Sequence, residues 1–169
     1  MKQMGTKIMQ TFLPYASFRQ SARVLDRQRL GKQRVEGLQI LYCLLGVSCH
    51  RWQQHPAVRM WKGYEAALAR YVVTVCQEWQ QRGYADTVQR KVCQLQRQHA
   101  LRAASQPPWL GQENFHRAHQ SNLLRKDVTY YRQHFPRIRS TYPYIWPVND
   151  DVHIEVAPTT HQVRQHRSR

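Results

Sequence analysis

The chain has 169 residues, in which 26 lysines and arginines face ten acidic residues for a formal net charge of +16. That length fits one domain with a substantial core, and five Trp, nine Tyr and four Phe supply one, which excludes a disordered basic tail protein. The positive balance asks for an anionic partner: nucleic acid first, an anionic membrane surface second. No apolar run is long enough to span a bilayer and no signal peptide is present, so the expectation is a soluble, cytoplasmic protein.

Residues 1–8 (MKQMGTKI) read as an extension before a second plausible start at Met9. The following MQTFLPYASF is apolar and contains Pro14, which predicts an extended lead-in packed on the core. Residues 21–46 read as one helix, with Ser21 as N-cap and Gly46 just past its end. Val35, Leu38, Leu41, Tyr42 and Leu45 form its dry stripe, and Arg29, Lys32, Gln33 and Glu36 its wet face.

A second helix opens at His55-Pro56, where proline at the first helical position loses nothing. Trp61, Tyr64, Leu68, Tyr71, Val72, Val75 and Trp79 keep its period as far as Gly83, making it the expected spine. A weaker amphipathic stretch runs from Thr87 to about His99. SQPPWLG (105–111) is a turn, because two prolines forbid helix there. The last helix covers about Asn114 to Phe135, with an interruption near Asp127, and Pro136 stops it. YPYIWPV (142–148) is too rich in proline for a central strand and reads as an extended apolar strap. The fold class is all-α: a single compact helical domain over 9–148 with that C-terminal strap, followed by a flexible basic tail over 149–169.

The four cysteines show neither CxxC spacing nor a zinc-module pattern; Cys43 and Cys76 fall in apolar helical stretches as small core residues. His116 and His119 lie three apart on a helix, with no acidic or cysteine partner nearby in sequence, so they read as a nucleic-acid-facing pair and no metal site is expected. GxSxG, P-loop, HExxH and GxGxxG motifs are all absent. Two basic clusters stand out. One is Arg27, Arg29, Lys32 and Arg34; the other is His116, Arg117, His119, Gln120, Asn122, Arg125 and Lys126. Lys and Arg neutralise phosphates, and Gln and Asn bond base edges or phosphates. Arg59 and Lys62, off the apolar stripe of the second helix, join the nucleic-acid-binding set. Glu36, a carboxylate among these cations, is either an intrahelical partner of Lys32 or Arg29 or a reactive group in a groove where a polyanion docks.

LDRQRLGKQRVEGLQ, then HPAVRMWKGYEAAL with EWQQRGY, then FHRAHQSNLLRKD with a following YY, resemble in that order the pyrimidine-dimer DNA glycosylases of the phage endonuclease V type. The likeness extends to a bacterial branch whose members start near MQTFLPY and end near YPYIWPV. The resemblance implies a compact helical fold and a combined glycosylase and abasic-site lyase without a metal or other cofactor. It implies an N-terminal α-amine that attacks C1′ of the damaged nucleotide to form a Schiff base, assisted by a glutamate on the first helix. Glu36 falls on that glutamate; Arg34 and Arg29 complete the candidate catalytic set. Val35 intervenes between Arg34 and Glu36, and Gln10 is too large for Met9 to be removed readily. The expected partner is duplex DNA, damaged in the enzymatic case, bound by a monomer. The rivals are a non-catalytic nucleic-acid-binding protein on the same fold and a basic scaffold for an acidic protein.

Overall fold

A computed structural model describes residues 9–49, 52–102, 105–148 and 153–156. Residues 9–15 form the expected extended lead-in, and seven helices follow among the described residues: α1 (Phe18–Val24), α2 (Arg27–Leu44), α3 (Pro56–Arg59), α4 (Glu65–Gln81), α5 (Val88–Gln98), α6 (Glu113–Lys126) and α7 (Val128–Tyr131). Two strands, β1 (Ile145–Val148) and β2 (His153–Val156), pair antiparallel with Ile145 opposite Val156 and Val148 opposite His153.

The single helix expected over 21–46 is two helices. Asp26 ends the first and caps the second, accepting the Arg29 N–H at 3.0 Å, and a good N-cap carboxylate outcompetes a continuous helix here. The Arg82 guanidinium, from the end of α4, closes the other side of the break by donating to the carbonyls of Ala22, Arg23 and Leu25. Ser17, not Ser21, caps α1; Ser21 is fully buried and its hydroxyl bonds both the N–H and the carbonyl of Tyr15. The helix expected from Pro56 to Gly83 also divides, at a turn in which Gly63 takes a φ of +86°, a conformation open to glycine at little cost.

The dry face of α2 keeps Leu38 and Leu41 of the expected stripe but not Val35. Leu30, Gln33, Glu36, Gly37, Leu38, Ile40 and Leu41 are buried, whereas Val35 is 43% exposed. Gly37 marks the place where α2 crosses α4: a Cβ built on it would come within 2.4 Å of Val72 Cγ2. From α4, Leu68, Tyr71, Val72 and Val75 fill the centre, and Trp61 packs edge-on against Trp109. Trp61 and Tyr71 are both fully buried, as the helical period required. Trp61→Ala and Tyr71→Ala are each expected to lower stability by roughly 3–5 kcal/mol in chemical denaturation, the usual cost of deleting a large buried aromatic; unchanged midpoints would contradict the packing.

Asp127 interrupts the last helix where expected, ending α6 and capping α7 through the Tyr130 N–H. The strap is β1 at its end, and Pro147 is tolerated because a two-stranded ribbon has only edge strands. β2 falls inside the 149–169 segment expected as tail; residues 1–8 and 157–169 lie outside the described residues. Cys43, expected as a small core residue, is buried in the core and is also joined to Cys49 in a disulfide across the turn at Gly46. Among the described residues no helix is long and apolar enough to cross a membrane.

Candidate active site

An extended segment carries a row of backbone donors and acceptors that no helix satisfies, so burying residues 10–15 demands polar side chains from elsewhere. The fold supplies them from α2, α4 and α6. Gln33 accepts the Phe12 N–H at 2.8 Å and donates to the Gln10 carbonyl at 2.8 Å. The Tyr71 hydroxyl lies 2.7 Å from Gln33 Oε1 and 2.9 Å from the Phe12 carbonyl, its one proton serving either. His119 Nδ1 accepts the Leu13 N–H at 3.0 Å, while His116 Nδ1 lies 2.7 Å from the Leu13 carbonyl. Because His116 Nε2 accepts the Gly111 N–H, its proton sits on Nδ1 and is donated to Leu13. Gln120 donates to the Pro14 carbonyl, Asn122 to Gln10 Oε1, and the Trp61 indole to Thr11 Oγ1.

This clamp corrects the expectation that His116, His119, Gln120 and Asn122 face nucleic acid. Gln120 is half-buried and the other three are buried, and all four hold the chain's own lead-in. Burial depresses the pKa of both histidines, that of His119 to about 3, so both are neutral where protein and DNA normally meet. Arg125 is also committed internally, donating to Ser121 Oγ and to the carbonyls of Ser140 and Tyr142, which fastens the strap to α6. Arg117 is exposed and paired with Glu113 on its own helix.

What the clamp delivers is the position of Gln10 beside Glu36. Glu36 is 7% exposed, and its Oε2 accepts from Gln33 Nε2 at 3.3 Å and, over a long 3.5 Å, from the Gln10 backbone nitrogen. These groups line a pocket of about 100 Å³ with Phe12, Gln28, Arg29, Lys32 and Lys126. Glu36, Gln28 and Lys32 also border a wider groove of about 730 Å³, whose lining Asp26, Arg27, Gly31, Val35 and Trp79 complete. A buried carboxylate thus stands between a small polar pocket and a larger, mostly apolar groove with a basic rim. Arg29, in the lining of the small pocket, keeps its place through Asp26, at 2.7 Å, and Asp26 is itself bonded by the Tyr131 hydroxyl at 2.5 Å.

Three sequence candidates lie elsewhere. Arg34 turns away from Glu36, ion-paired with Asp86 and stacked over the Trp79 ring at 4.3 Å, so it props the outer groove and is absent from the pocket lining. Arg59 and Lys62 border a separate cleft of about 580 Å³ with Trp109 and Pro147. Gln10, Phe12 and Gln28 were not singled out from sequence. The signal that could have found Gln10 and Phe12 is the buried extended segment itself, whose backbone requires polar partners.

Residues 9–92 match the family model described as pyrimidine dimer DNA glycosylase. Comparisons with curated proteins and with solved structures returned no match.

Proposed function

Over residues 9–92 the chain belongs to the pyrimidine dimer DNA glycosylase family, and from that premise we propose that the protein is a base-excision glycosylase and abasic-site lyase that acts on damaged duplex DNA through an amine held beside Glu36. The observation that carries this reading is the buried Glu36 carboxylate at the Gln10 nitrogen, in a pocket ringed by Arg29, Lys32 and Lys126. An amine lone pair attacks C1′ of the damaged nucleotide; the C1′–base bond breaks and the base departs with that electron pair and a proton. The nitrogen lone pair then expels the ring oxygen: the C1′–O4′ bond breaks, O4′ takes a proton from water and leaves as a hydroxyl, and the iminium so formed acidifies C2′–H. Glu36 accepts that proton, the 3′ phosphate leaves, and water then hydrolyses the imine to regenerate the amine. Glu36 also stabilises the cationic sugar, which an anion in a partly desolvated pocket does far better than one in bulk water.

The groove beside Glu36 is where an extrahelical nucleotide would enter, and unstacking is least costly at a lesion. Around it, Arg27, Lys32 and Lys126, with Arg29 held in place by Asp26, are positioned to meet phosphates, about four contacts. Binding to duplex DNA should therefore weaken with salt at a log–log slope of roughly −3.6, from 0.9 counterions released per phosphate. The decisive test is borohydride trapping on duplex DNA that carries an abasic site or a pyrimidine dimer. A covalent adduct together with strand cleavage supports the reading. Salt-dependent binding with neither adduct nor cleavage overturns it in favour of a binding protein.

A further inference from the structure

A long cationic side chain stabilises charge in a transition state best when its rotamers are already reduced to one. Of the three cations that line the small pocket, Lys32 and Lys126 are exposed, whereas Arg29 is half-buried and held. Asp26 Oδ2 accepts from Arg29 Nη1 at 2.7 Å, and Asp26 Oδ1 accepts the Arg29 N–H at 3.0 Å, so one carboxylate fixes both the backbone and the tip of the residue. The Tyr131 hydroxyl fixes that carboxylate in turn. It donates to Asp26 Oδ2 at 2.5 Å and accepts the Asp26 N–H at 3.1 Å. Tyr131 is fully buried, with its ring stacked on Phe135 and 5.7 Å from the Arg29 guanidinium carbon. Among the described residues, Nε and Nη2 of Arg29 bond no acceptor.

We propose, on the base-excision reading above, that Arg29 takes up the charge of the departing 3′ phosphate and that Asp26 and Tyr131 are its positioning residues. Glu36 receives the C2′ proton, and the leaving oxygen is on C3′, the next carbon, so a cation that lines the pocket of Glu36 is within reach of it. In the elimination the C2′–H electron pair becomes the C2′–C3′ double bond and the C3′–O pair departs with the phosphate. The phosphate thereby gains a negative charge, which a guanidinium meets with a planar fork of donors. Burial works against the charge of Asp26, but the hydrogen bonds from Tyr131 and Arg29 outweigh it, and the carboxyl sits below its ordinary value. Burial, with the Asp26 hydrogen bond behind it, pushes Tyr131 upward, so the phenol keeps the proton that it donates.

The test uses duplex DNA bearing one abasic site, in single turnover, and reads two steps apart: imine formation by borohydride trapping, and elimination by strand cleavage without borohydride. Arg29→Ala should slow cleavage by about 10²-fold, the loss when one donor to a developing anion is removed. Trapping should stay near the wild-type rate, because the imine forms before the phosphate departs. Asp26→Asn keeps a cap for α2 and Tyr131→Phe keeps the buried ring. Each should slow cleavage about 10-fold through a loosened Arg29, with DNA affinity held because the charge of Arg29 remains. The double variant Asp26→Asn/Arg29→Ala should be no slower than Arg29→Ala alone, which a general loss of structure would not give. Trapping that slows in step with cleavage, losses that add in the double variant, or cleavage unchanged in the single variants each overturn the assignment and leave the base-excision reading standing. Wild-type protein that gives neither adduct nor cleavage overturns both.

Discussion

Glu36→Gln is expected to reduce cleavage of abasic or dimer-containing duplex DNA by about 10²–10⁴-fold, the range that a positioned proton acceptor contributes, while leaving folding and DNA affinity near wild type. The substitution preserves what the fold asks of the side chain. A glutamine oxygen can still accept the Gln10 N–H and the Gln33 amide, so neither buried donor loses its partner. It removes what the chemistry asks: an anion to face a cationic sugar and to receive the C2′ proton. DNA affinity should hold or tighten, because one negative charge disappears from a surface that binds phosphate. Single-turnover cleavage, a binding titration and a thermal melt on the same preparation separate the cases. Were Glu36 only a helix-surface charge worth a few tenths of a kcal/mol, cleavage would be unchanged, and that result would remove Glu36 from the reaction.

The helices were legible from spacing because long amphipathic periods survive in any context, as the burial of Trp61, Leu68, Tyr71, Val72 and Val75 shows. Their breaks were less so. Asp26 and Gly63 are local signals, but a helix continuing through them satisfies the same hydrophobic period, and at Asp26 the Arg82 and Tyr131 contacts that favour the break come from distant segments. On α2 the error was one of face. Val35 and Tyr42 drew the apolar stripe toward solvent, while the buried side carries Gln33, Glu36 and Gly37, which composition assigns to water or to a turn. Glu36 was still found, since a carboxylate among cations is visible without its burial. The polar clamp was not. Whether His116 and Asn122 bond DNA or the chain's own lead-in depends on residues roughly a hundred positions away, and no local pattern carries that information. The basic α6 cluster therefore read as an interface, when only Lys126 from it reaches the pocket.

That clamp also makes the protein acid-sensitive in a defined window. His119 Nδ1 must be unprotonated to accept the Leu13 N–H, its proton therefore lies on Nε2, and Nε2 is buried with no hydrogen-bond partner among the described residues, against the rings of Phe115 and Tyr144. Burial, and to a smaller extent His116, push its pKa down to about 3. An unfolded histidine titrates near 6.5, so between the two values the unfolded chain binds a proton that the native chain refuses. Stability is complete above about pH 6.5 and should fall as pH drops below it, by about 1.4 kcal/mol per pH unit for this one group. His116 and His55, also lowered chiefly by burial, add to the slope in the same direction. His119→Asn keeps an acceptor near the Nδ1 position and cannot be protonated in this range. Urea denaturation at several pH values from about 7 to about 4.5 should thus show a variant less stable than wild type at the neutral end, through lost packing, but with a shallower decline. Equal slopes in the two proteins would mean that His119 is protonated in the native state. Cleavage should fail along with stability as pH drops, because the bond that acid breaks anchors Leu13, three residues from the nitrogen that Glu36 holds.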